Sequence, residues 1–165
     1  MLNIRQAESK DIDSIQQIAD AVWRPTYTPI IGSEQVAYML NLFYSAEVIE
    51  EQLATHSQTY LLLEIDGDPI GFAAYSPRQE NEQVYKLHKL YCLPNHHGKG
   101  CGRMLLEAVE QDALLKGIHR LELNVNRHNP AKMFYEKLGY EIMYEEDIDI
   151  GNGYWMNDYV MGKDL

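Results

Sequence analysis

The sequence is poor in cysteine and in long apolar runs. Its 165 residues include only two cysteines, Cys92 and Cys101. Neither forms a CxxC pair or stands beside histidines at zinc-ligand spacing, so we expect no disulfide scaffold, no metal and a reducing, cytoplasmic location. The apolar runs are far shorter than the ~20 residues that span a bilayer, and the first residues lack the apolar core of a signal peptide. We therefore expect a soluble protein with no membrane partner.

Positive charge is also scarce. The chain has 14 lysines and arginines against 25 aspartates and glutamates, which gives a formal net charge of −11 at pH 7. Proteins bind nucleic-acid backbones by neutralising phosphates with lysine and arginine, so no nucleic acid is expected as a partner. The same acidity mildly favours a cationic substrate.

Length and composition indicate one globular domain over residues 1–165. The chain is 45% hydrophobic and 24% charged, as ordinary folded proteins are, and a chain of this length buries a core without disulfides. Hydrophobic periodicity predicts a strand and a helix, two short helices, a hairpin, and then strand–helix units. Pro25 and Pro29 should break the first helical pattern. Residues 84–93 should form a strand whose side chains alternate strictly between two faces.

Residues 90–110 carry the most informative pattern, LYCLPNHHGKGCGRMLLEAVE: a strand, a turn with glycines at 98, 100 and 102, and an amphipathic helix. Such a turn lets backbone N–H groups surround a pyrophosphate, and the helix adds its free amides and its positive dipole end. The P-loop pattern and the dinucleotide pattern GxGxxG both fail, because position 93 is Leu and position 103 is Arg. From this turn alone, a strand–helix connection without a ligand stays open.

Two motifs resemble the GNAT acyl-CoA N-acyltransferase superfamily. Residues 97–102 are similar to the family pattern of Gln or Arg, two residues, Gly, one residue, and Gly or Ala, except that His97 replaces the Gln or Arg. Residues 129–140, which read NPAKMFYEKLGY, are similar to a second family motif. Segments within residues 22–27, 38–45 and 151–161 also resemble the PaiA-type spermidine/spermine N-acetyltransferases.

This resemblance implies an α/β (α+β) fold with a mixed, mostly antiparallel central sheet flanked by helices. The sheet should be splayed between its two central strands, the one that ends at Cys92 and the one over residues 121–126. Acetyl-CoA, as co-substrate, would enter that splay and pass its acetyl group directly to a primary amine in one ternary complex. No activated Cys or Ser nucleophile is recognisable that would suggest a covalent route.

The resemblance also assigns residues to acetyl-CoA. The cofactor-binding positions that it implies are Leu90, Tyr91, Cys92, His97, Gly98, Lys99, Gly100, Cys101, Gly102, Arg103, Asn129 and Tyr135. The Leu90 N–H would polarise the thioester carbonyl as a one-donor oxyanion hole, and the Tyr135 hydroxyl would protonate the departing thiolate. Core packing is the alternative for Leu90 and Tyr135, and Asn129 should also cap a helix.

The general base is the point at which the chain departs from the family. Many members carry a Glu where this chain has Lys86, and a lysine serves as a base only if burial lowers its pKa. The work would then pass to His88 or to a water chain, although His88 could equally fill space on the strand. The expected catalytic residues are therefore Tyr135, Leu90 and His88.

The expected partner is a small-molecule amine, with a polyamine such as spermidine or spermine as the favoured acceptor. Candidates for contacts with it are aromatic residues of the helical insert and three aspartates near the C-terminus: Trp23, Tyr27, Tyr38, Tyr44, Asp147, Asp149 and Asp158. Acetylation of a protein N-terminus, a lysine or another small amine is an alternative. A further alternative, favoured by Lys86, is an inactive acyl-CoA-binding regulatory module. A homodimer is left open.

Overall fold

The computed structural model describes all of residues 1–165. Its seven strands are β1 (Leu2–Gln6), β2 (Thr59–Ile65), β3 (Asp68–Pro77), β4 (Tyr85–Cys92), β5 (Arg120–Asn126), β6 (Glu141–Gly151) and β7 (Tyr154–Asp164). Its five α-helices are α1 (Ile12–Ile31), α2 (Ser33–Tyr44), α3 (Ala46–Thr55), α4 (Cys101–Leu115) and α5 (Ala131–Lys137). None of the helices has both the length and the apolar character that crossing a membrane requires.

The seven strands form one sheet in the order β1-β2-β3-β4-β5-β7-β6. All neighbours are antiparallel except β4 and β5, which are parallel. Parallel strands need a long crossover connection, and α4 lies in the one that joins this pair. The predicted mixed, mostly antiparallel sheet flanked by helices is confirmed.

Strands β4 and β5 separate soon after they meet. Their pairing covers only residues 85–87 of β4 and 121–123 of β5. At the same place β4 carries a bulge, because Leu87 lies opposite Tyr75 and Lys89 lies opposite Ala74, which leaves His88 without a partner. A bulge bends its strand and increases the local twist. The predicted splay between the two central strands is confirmed, and the bulge accounts for its position.

The same bulge overturns the strict alternation that was predicted for residues 84–93. Leu87 and Cys92, which an alternating strand would place on opposite faces, belong to the same core cluster. Tyr91 packs against the core of the other face, and Lys89 reaches Tyr60 on that face. The prediction was wrong because one inserted residue exchanges the faces of every residue that follows it.

Helix α1 continues through Pro25 and Pro29 to Ile31, so the prediction that these prolines break it was wrong. Both prolines are exposed and stand four residues apart, on one face of the helix. On another face Trp23 is buried and Tyr27 packs against the core. Tertiary packing of that face outweighs the loss of two backbone hydrogen bonds, since most helix stability in proteins comes from packing.

A separate core lies on each face of the sheet. On the first, which we call the α4 face, residues of α4 such as Leu105 pack against Leu121 and Leu123 of β5. On the second, the α1 face, residues of α1 to α3 such as Ile15 pack against Phe72 of β3. The splay is therefore an opening between two otherwise separated halves of the molecule.

Candidate active site

A cavity of about 850 Å³ occupies the splay. On the α4 face its walls are the turn that precedes α4 and the start of α5, and on the α1 face they are α1 and α2. Residues of β4, β5 and β7 form its sides. Since one cavity is lined from both faces, two ligands that enter from opposite sides of the sheet would meet within it.

The glycines of the turn are required for two different reasons. Gly98 and Gly100 have φ angles of +79° and +81°, in the left-handed region where a side chain strains the backbone. At Gly102 the space is tight, because a Cβ atom there would lie 3.3 Å from the ring of Phe134, which would have to shift by a few tenths of an ångström. Helix α4 begins at Cys101, so its free N-terminal amides continue the turn. This arrangement suits phosphate oxygens.

The structure brings the predicted cofactor-binding residues together at the cavity, with one exception. All of them line it except Lys99. The ring of His97 folds back, with Nε2 2.8 Å from the Cys92 carbonyl oxygen, and so ties the turn to the end of β4. His96, which the sequence did not single out, also lines the cavity, and its Nδ1 is buried without a hydrogen-bond partner.

The backbone of β4 presents free donors to the splay. The Leu93 N–H donates to the Ile70 carbonyl of β3 at 2.8 Å. Because successive N–H groups of a strand point to opposite sides, those of Leu90 and Cys92 point away from β3. Strand β5 pairs with β4 only as far as Leu87, so both amides face the cavity. A donor is thus available where a polarised thioester carbonyl would need one.

Tyr135 lies on α5 and is buried, with its ring 5.9 Å from that of Tyr140. It lines the cavity, and burial raises the pKa of its hydroxyl. A raised pKa keeps the phenol protonated at neutral pH, as a proton donor must be. Burial equally disfavours a thiolate beside it, which helps the transfer of the proton.

Asn129 bridges two elements. Its Oδ1 accepts a hydrogen bond from the Ala131 N–H, the first of α5, at 2.9 Å, as the predicted capping role requires, although Pro130 occupies the cap position itself. Its Nδ2 donates to the Tyr27 hydroxyl of α1 at 3.0 Å. Contact between Asn129 and CoA stays a prediction, and the bond to Tyr27 shows that this amide also ties α5 to the opposite wall of the cavity.

His88 is the bulged residue of β4 and lines the cavity. Its Nε2 lies 2.7 Å from the Ser76 Oγ. Burial, with the charges of Lys86 and Lys89, lowers the pKa of His88 to about 3. An imidazole of that pKa is neutral at pH 7 but holds an added proton poorly. Its role as general base stays a prediction that its surroundings do not favour.

The three C-terminal aspartates have different surroundings. Asp147 pairs with Arg127 at 2.7 Å, and Asp149 accepts a hydrogen bond from the Gly151 N–H at 2.9 Å. Only Asp158 lines the cavity, and it is 3% exposed. Burial raises the pKa of its carboxyl group. The sequence contained a signal for this position. Met156, Asp158 and Val160 stand two residues apart and therefore share the inward side of β7.

Lys89 is a site residue that sequence reasoning missed. It is 7% exposed and donates to the Tyr60 hydroxyl and, at 3.3 Å, to the Gln52 Oε1. Its Nζ lies 4.9 Å from the ring centroids of both Tyr44 and Tyr60. Burial lowers the pKa of Lys89 to about 7, and burial also lowers that of Lys86. Burial therefore disfavours the charged forms of both lysines of the cavity.

Aromatic side chains of the insert form much of the α1-face wall. Trp23, Tyr27 and Tyr44 line the cavity. Tyr38 does not, because its hydroxyl donates to the Ile150 carbonyl at 2.7 Å and its ring packs against Tyr154. No group of three or more His, Cys, Asp or Glu side chains is placed to hold a metal ion.

Comparison with known proteins points to one family. The model of the family described as acetyltransferase (GNAT) matches residues 15–140. An uncharacterized N-acetyltransferase of Bacillus subtilis, YuaI, is 26% identical over 91% of this chain and 86% of its own length. A spermidine N(1)-acetyltransferase of Thermoplasma acidophilum is 26% identical over 98% of this chain and 96% of its own length.

A solved structure extends this similarity to three dimensions. The crystal structure of PaiA N-acetyltransferase from Thermoplasma acidophilum, in complex with coenzyme A, superposes with a TM-score of 0.85 at 25% identity. The match covers 100% of this chain and 99% of that one. It therefore includes the helical insert of the α1 face and the β6–β7 hairpin as well as the turn before α4.

Proposed function

This chain belongs to the acetyltransferase (GNAT) family and is an acetyl-CoA-dependent N-acetyltransferase, and we propose that it acetylates a small polyamine of the spermidine and spermine class. The observation that carries this proposal is the charge at the acceptor end of the cavity. Asp158 is the only Asp or Glu among the lining residues, and it is buried on the α1 face. A buried carboxylate without a paired cation favours a cationic ligand.

Aromatic residues among those that line the cavity support the same acceptor class. Trp23 and Tyr27 are two of them, and their rings lie 4.6 Å apart. Indole and phenol faces attract alkylammonium groups. Full-length similarity to a spermidine N(1)-acetyltransferase adds support, since it includes the segments that carry these rings.

Two lysines in the cavity oppose a polycationic ligand, but their surroundings weaken the opposition. Burial lowers the pKa of Lys89 to about 7, so its neutral form is accessible near pH 7. Burial also lowers the pKa of Lys86, whereas Asp158 raises it. Loss of a proton from either lysine removes its repulsion of an incoming ammonium group.

The α4 face would hold acetyl-CoA. We assign the diphosphate to the backbone of His97, Gly98, Gly100 and Gly102, with Lys99 of the turn and Arg103 at the start of α4 supplying positive charge. Tyr91, Cys101 and Asn129 would line the arm of the cofactor. The free N–H groups of Leu90 and Cys92 would pair with that arm as a neighbouring strand does. The Leu90 N–H would stabilise the charge that develops on the thioester oxygen, and Tyr135 would donate its proton to the thiolate.

The acceptor class is tested by a panel assay. At saturating acetyl-CoA, kcat/KM is measured for spermidine, spermine, an alkyl monoamine of similar length, lysine, a peptide N-terminus and an aminoglycoside. We expect the polyamines to have the highest values. A clear preference for the peptide or the aminoglycoside would contradict the polyamine proposal and leave the acetyltransferase activity intact. If no amine increased acetyl-CoA consumption above background, the inactive regulatory module would be favoured instead.

Location and assembly stay proposals. Both cysteines are free and buried, which is typical of proteins of the reducing cytoplasm. A homodimer remains open, and sedimentation or light scattering at several concentrations would test it.

A further inference from the structure

Lys86 stands where many members of the family carry a glutamate base; burial lowers its pKa, whereas the neighbouring Glu146 and Asp158 favour its charged form. The lining residues include Lys86, His88, Lys89 and a single carboxylate, Asp158. His88 is a weak base because burial lowers its pKa to about 3. The Lys89 amine already donates to Tyr60 and Gln52. Asp158 is the only lining residue whose ionised form is an anion that attracts an ammonium group, and its geometry supports it independently.

The hydrogen bonds around Asp158 leave two oxygen atoms without donors. The Asn124 Nδ2 donates to the Asp158 Oδ2 at 3.2 Å and to the Glu146 Oε2 at 3.0 Å. Because both partners are carboxylates, the orientation of the Asn124 amide is fixed. Its Oδ1 is then buried without a partner. The Asp158 Oδ1 accepts no hydrogen bond from another side chain. The Arg127 Nε donates to the backbone carbonyl of Asp158 instead of to its carboxyl group.

The Asn124 Oδ1 is buried without a partner, which is costly to a folded protein, and the Asp158 Oδ1 has a free lone pair beside it. Both residues line the cavity, so a ligand can supply the missing donors. An ammonium group fits this arrangement, because it carries three N–H donors, no acceptor and a positive charge. A neutral or anionic ligand would leave the buried carboxylate uncompensated.

The position of this pair suits the acceptor amine. Asn124 follows Leu123, the last β5 residue that pairs with β4, and Asp158 lies opposite Asn126 on β7. Leu123 and Val125 belong to the core of the α4 face, so the Asn124 side chain between them points to the α1 face. Tyr135 belongs to the α4 face. The two oxygens and the Tyr135 hydroxyl therefore approach the splay from opposite sides.

We propose that Asp158 is the catalytic residue that binds the acceptor ammonium and takes its proton, and that Asn124 is the positioning residue that aims the carboxylate. This role rests on the proposed acetylation of an amine. An ammonium proton passes to the Asp158 Oδ1 and leaves the nitrogen lone pair free. The nitrogen then bonds to the acetyl carbon and the carbon–sulfur bond breaks, with its electrons going to the thiolate. Tyr135 protonates the thiolate and is reprotonated from the new amide nitrogen, and Asp158 releases its proton to solvent.

Other charged groups around Asp158 tune this step. Lys86 on β4 and Arg127 after β5 favour its ionised form, whereas Glu146 on β6 disfavours it. Burial is the largest influence and raises the pKa of Asp158 above its ordinary value. A base with a raised pKa accepts a proton more readily.

The test compares Asp158→Asn with Asp164→Asn as the matched control. Asp164 lies on the same strand but is exposed and pairs with Arg120 outside the cavity. Each variant is assayed with spermidine and with two monoamines of equal length: an alkylamine, protonated at pH 7, and its analogue that is perfluorinated from the β carbon onward, which is largely neutral at that pH. CoA affinity is measured in parallel by calorimetry.

We expect Asp158→Asn to lower kcat/KM by about 10²-fold or more for spermidine and the alkylamine. The loss for the fluorinated amine should be about tenfold or less, since that amine needs no base. The rate of this variant with the alkylamine should continue to rise with pH, and CoA affinity and the Asp164→Asn rates should match the wild type. Equal losses for both monoamines, or activity close to wild type, would overturn the role of Asp158.

Failure of the proposed function would look different. If wild-type protein acetylated the monoamines but not spermidine, the polyamine proposal would fail and the role of Asp158 would be decided on the monoamines. If the wild type preferred another amine from the panel, the same variants would be compared on that amine. Wild-type protein that acetylated no amine would overturn both.

Discussion

On the α4 face the cavity is walled by a backbone turn, in which Gly98 and Gly100 adopt left-handed angles and the amides of α4 follow. On the α1 face it is walled by side chains from distant parts of the chain, such as Trp23 of α1, Lys89 of β4 and Asp158 of β7. The turn of the first wall is one continuous segment, to which the start of α5 is added. The second exists only after the whole sheet has assembled.

The two walls also differ in electrostatics. On the α1 face, burial lowers the pKa values of Lys86, His88 and Lys89 and raises that of Asp158. Each shift favours the neutral form of the group. Such shifts lower stability, because ionised groups lose hydration that the fold does not fully replace. Ionisable groups of this kind cluster at functional sites. The difference teaches that cofactor binding here depends on backbone shape, whereas acceptor chemistry depends on buried charge.

The largest effect on kcat is expected from a substitution of Tyr135. Tyr135→Phe removes a hydroxyl that lines the cavity, so kcat should fall by about 10²-fold or more, as loss of a general acid does. CoA affinity and thermal stability should change little. The measurement is kcat at saturating substrates, with calorimetry for CoA.

Tyr75→Phe is the matched control for that substitution. The Tyr75 hydroxyl donates to the Asp112 Oδ2 at 2.7 Å, away from the cavity. Its loss should lower the free energy of unfolding by about 1 kcal/mol and leave kcat unchanged. If the two variants had the same kcat, Tyr135 would be a packing residue.

The cofactor wall is tested by Gly100→Val. A side chain at a φ of +81° strains the turn and blocks the backbone from the diphosphate. We expect CoA affinity to fall by about tenfold or more, which corresponds to about 1.4 kcal/mol. Gly117→Val is the control, because Gly117 has a φ of +77° and lies outside the cavity. Comparable destabilisation of both variants with unchanged CoA binding in Gly100→Val would remove the turn from the cofactor site.

The electrostatic strain of the acceptor wall predicts a pH dependence of stability. The folded pKa of Lys89 is about 7, against 10.5 for an ordinary lysine. Between these values the unfolded chain binds more protons, so stability from this group rises with pH, by up to about 1.4 kcal/mol per pH unit. It is lowest below pH 7, where the buried amine is charged.

Urea unfolding of wild type and Lys89→Met at pH 7.5 and 8.5 measures this slope. The wild type should gain stability relative to the variant as pH rises. Lys10→Met replaces a lysine whose side chain is 70% exposed. Its stability should change with pH as that of the wild type does. If the difference in free energy of unfolding between wild type and Lys89→Met were the same at both pH values, burial would not lower the pKa of Lys89.

The smallest effect concerns long-range charge. A net charge of −11 should attract a polyamine more strongly than a monoamine. Raising the salt from 0.1 M to 1 M shortens the Debye length from about 10 Å to about 3 Å. We expect kcat/KM for spermidine to fall a few-fold more than that for an alkyl monoamine. Equal salt dependence would limit acceptor recognition to contacts inside the cavity.

The cofactor wall could be predicted from the sequence because its determinants are local. Gly98, Gly100 and Gly102 stand together before a helix with a clear apolar stripe, and the Asn129 cap also acts within three residues. The acceptor wall could not be predicted in the same way. Asp158 and Asn124 are 34 residues apart, and only the pairing of β5 with β7 brings them together.

The errors in the fold have a similar origin. The bulge at His88 depends on how β3 pairs with β4 and leaves no mark in the alternation of residues 84–93. Because of the bulge, the amine of Lys89 points to the α1 face. The alternation of the sequence alone therefore did not identify Lys89 as a residue of the site. Continuation of α1 through Pro25 depends on burial of Trp23 against a distant core, which local propensity does not report.

The central claim is that acetyl-CoA and the amine occupy opposite sides of one splayed sheet at the same time. Initial rates over a matrix of acetyl-CoA and spermidine concentrations test it most directly. A ternary complex predicts double-reciprocal lines that intersect, and intact mass spectrometry of protein with acetyl-CoA alone should show no acetyl adduct. Parallel lines, together with an acetylated protein that passes its acetyl group to spermidine, would contradict the account.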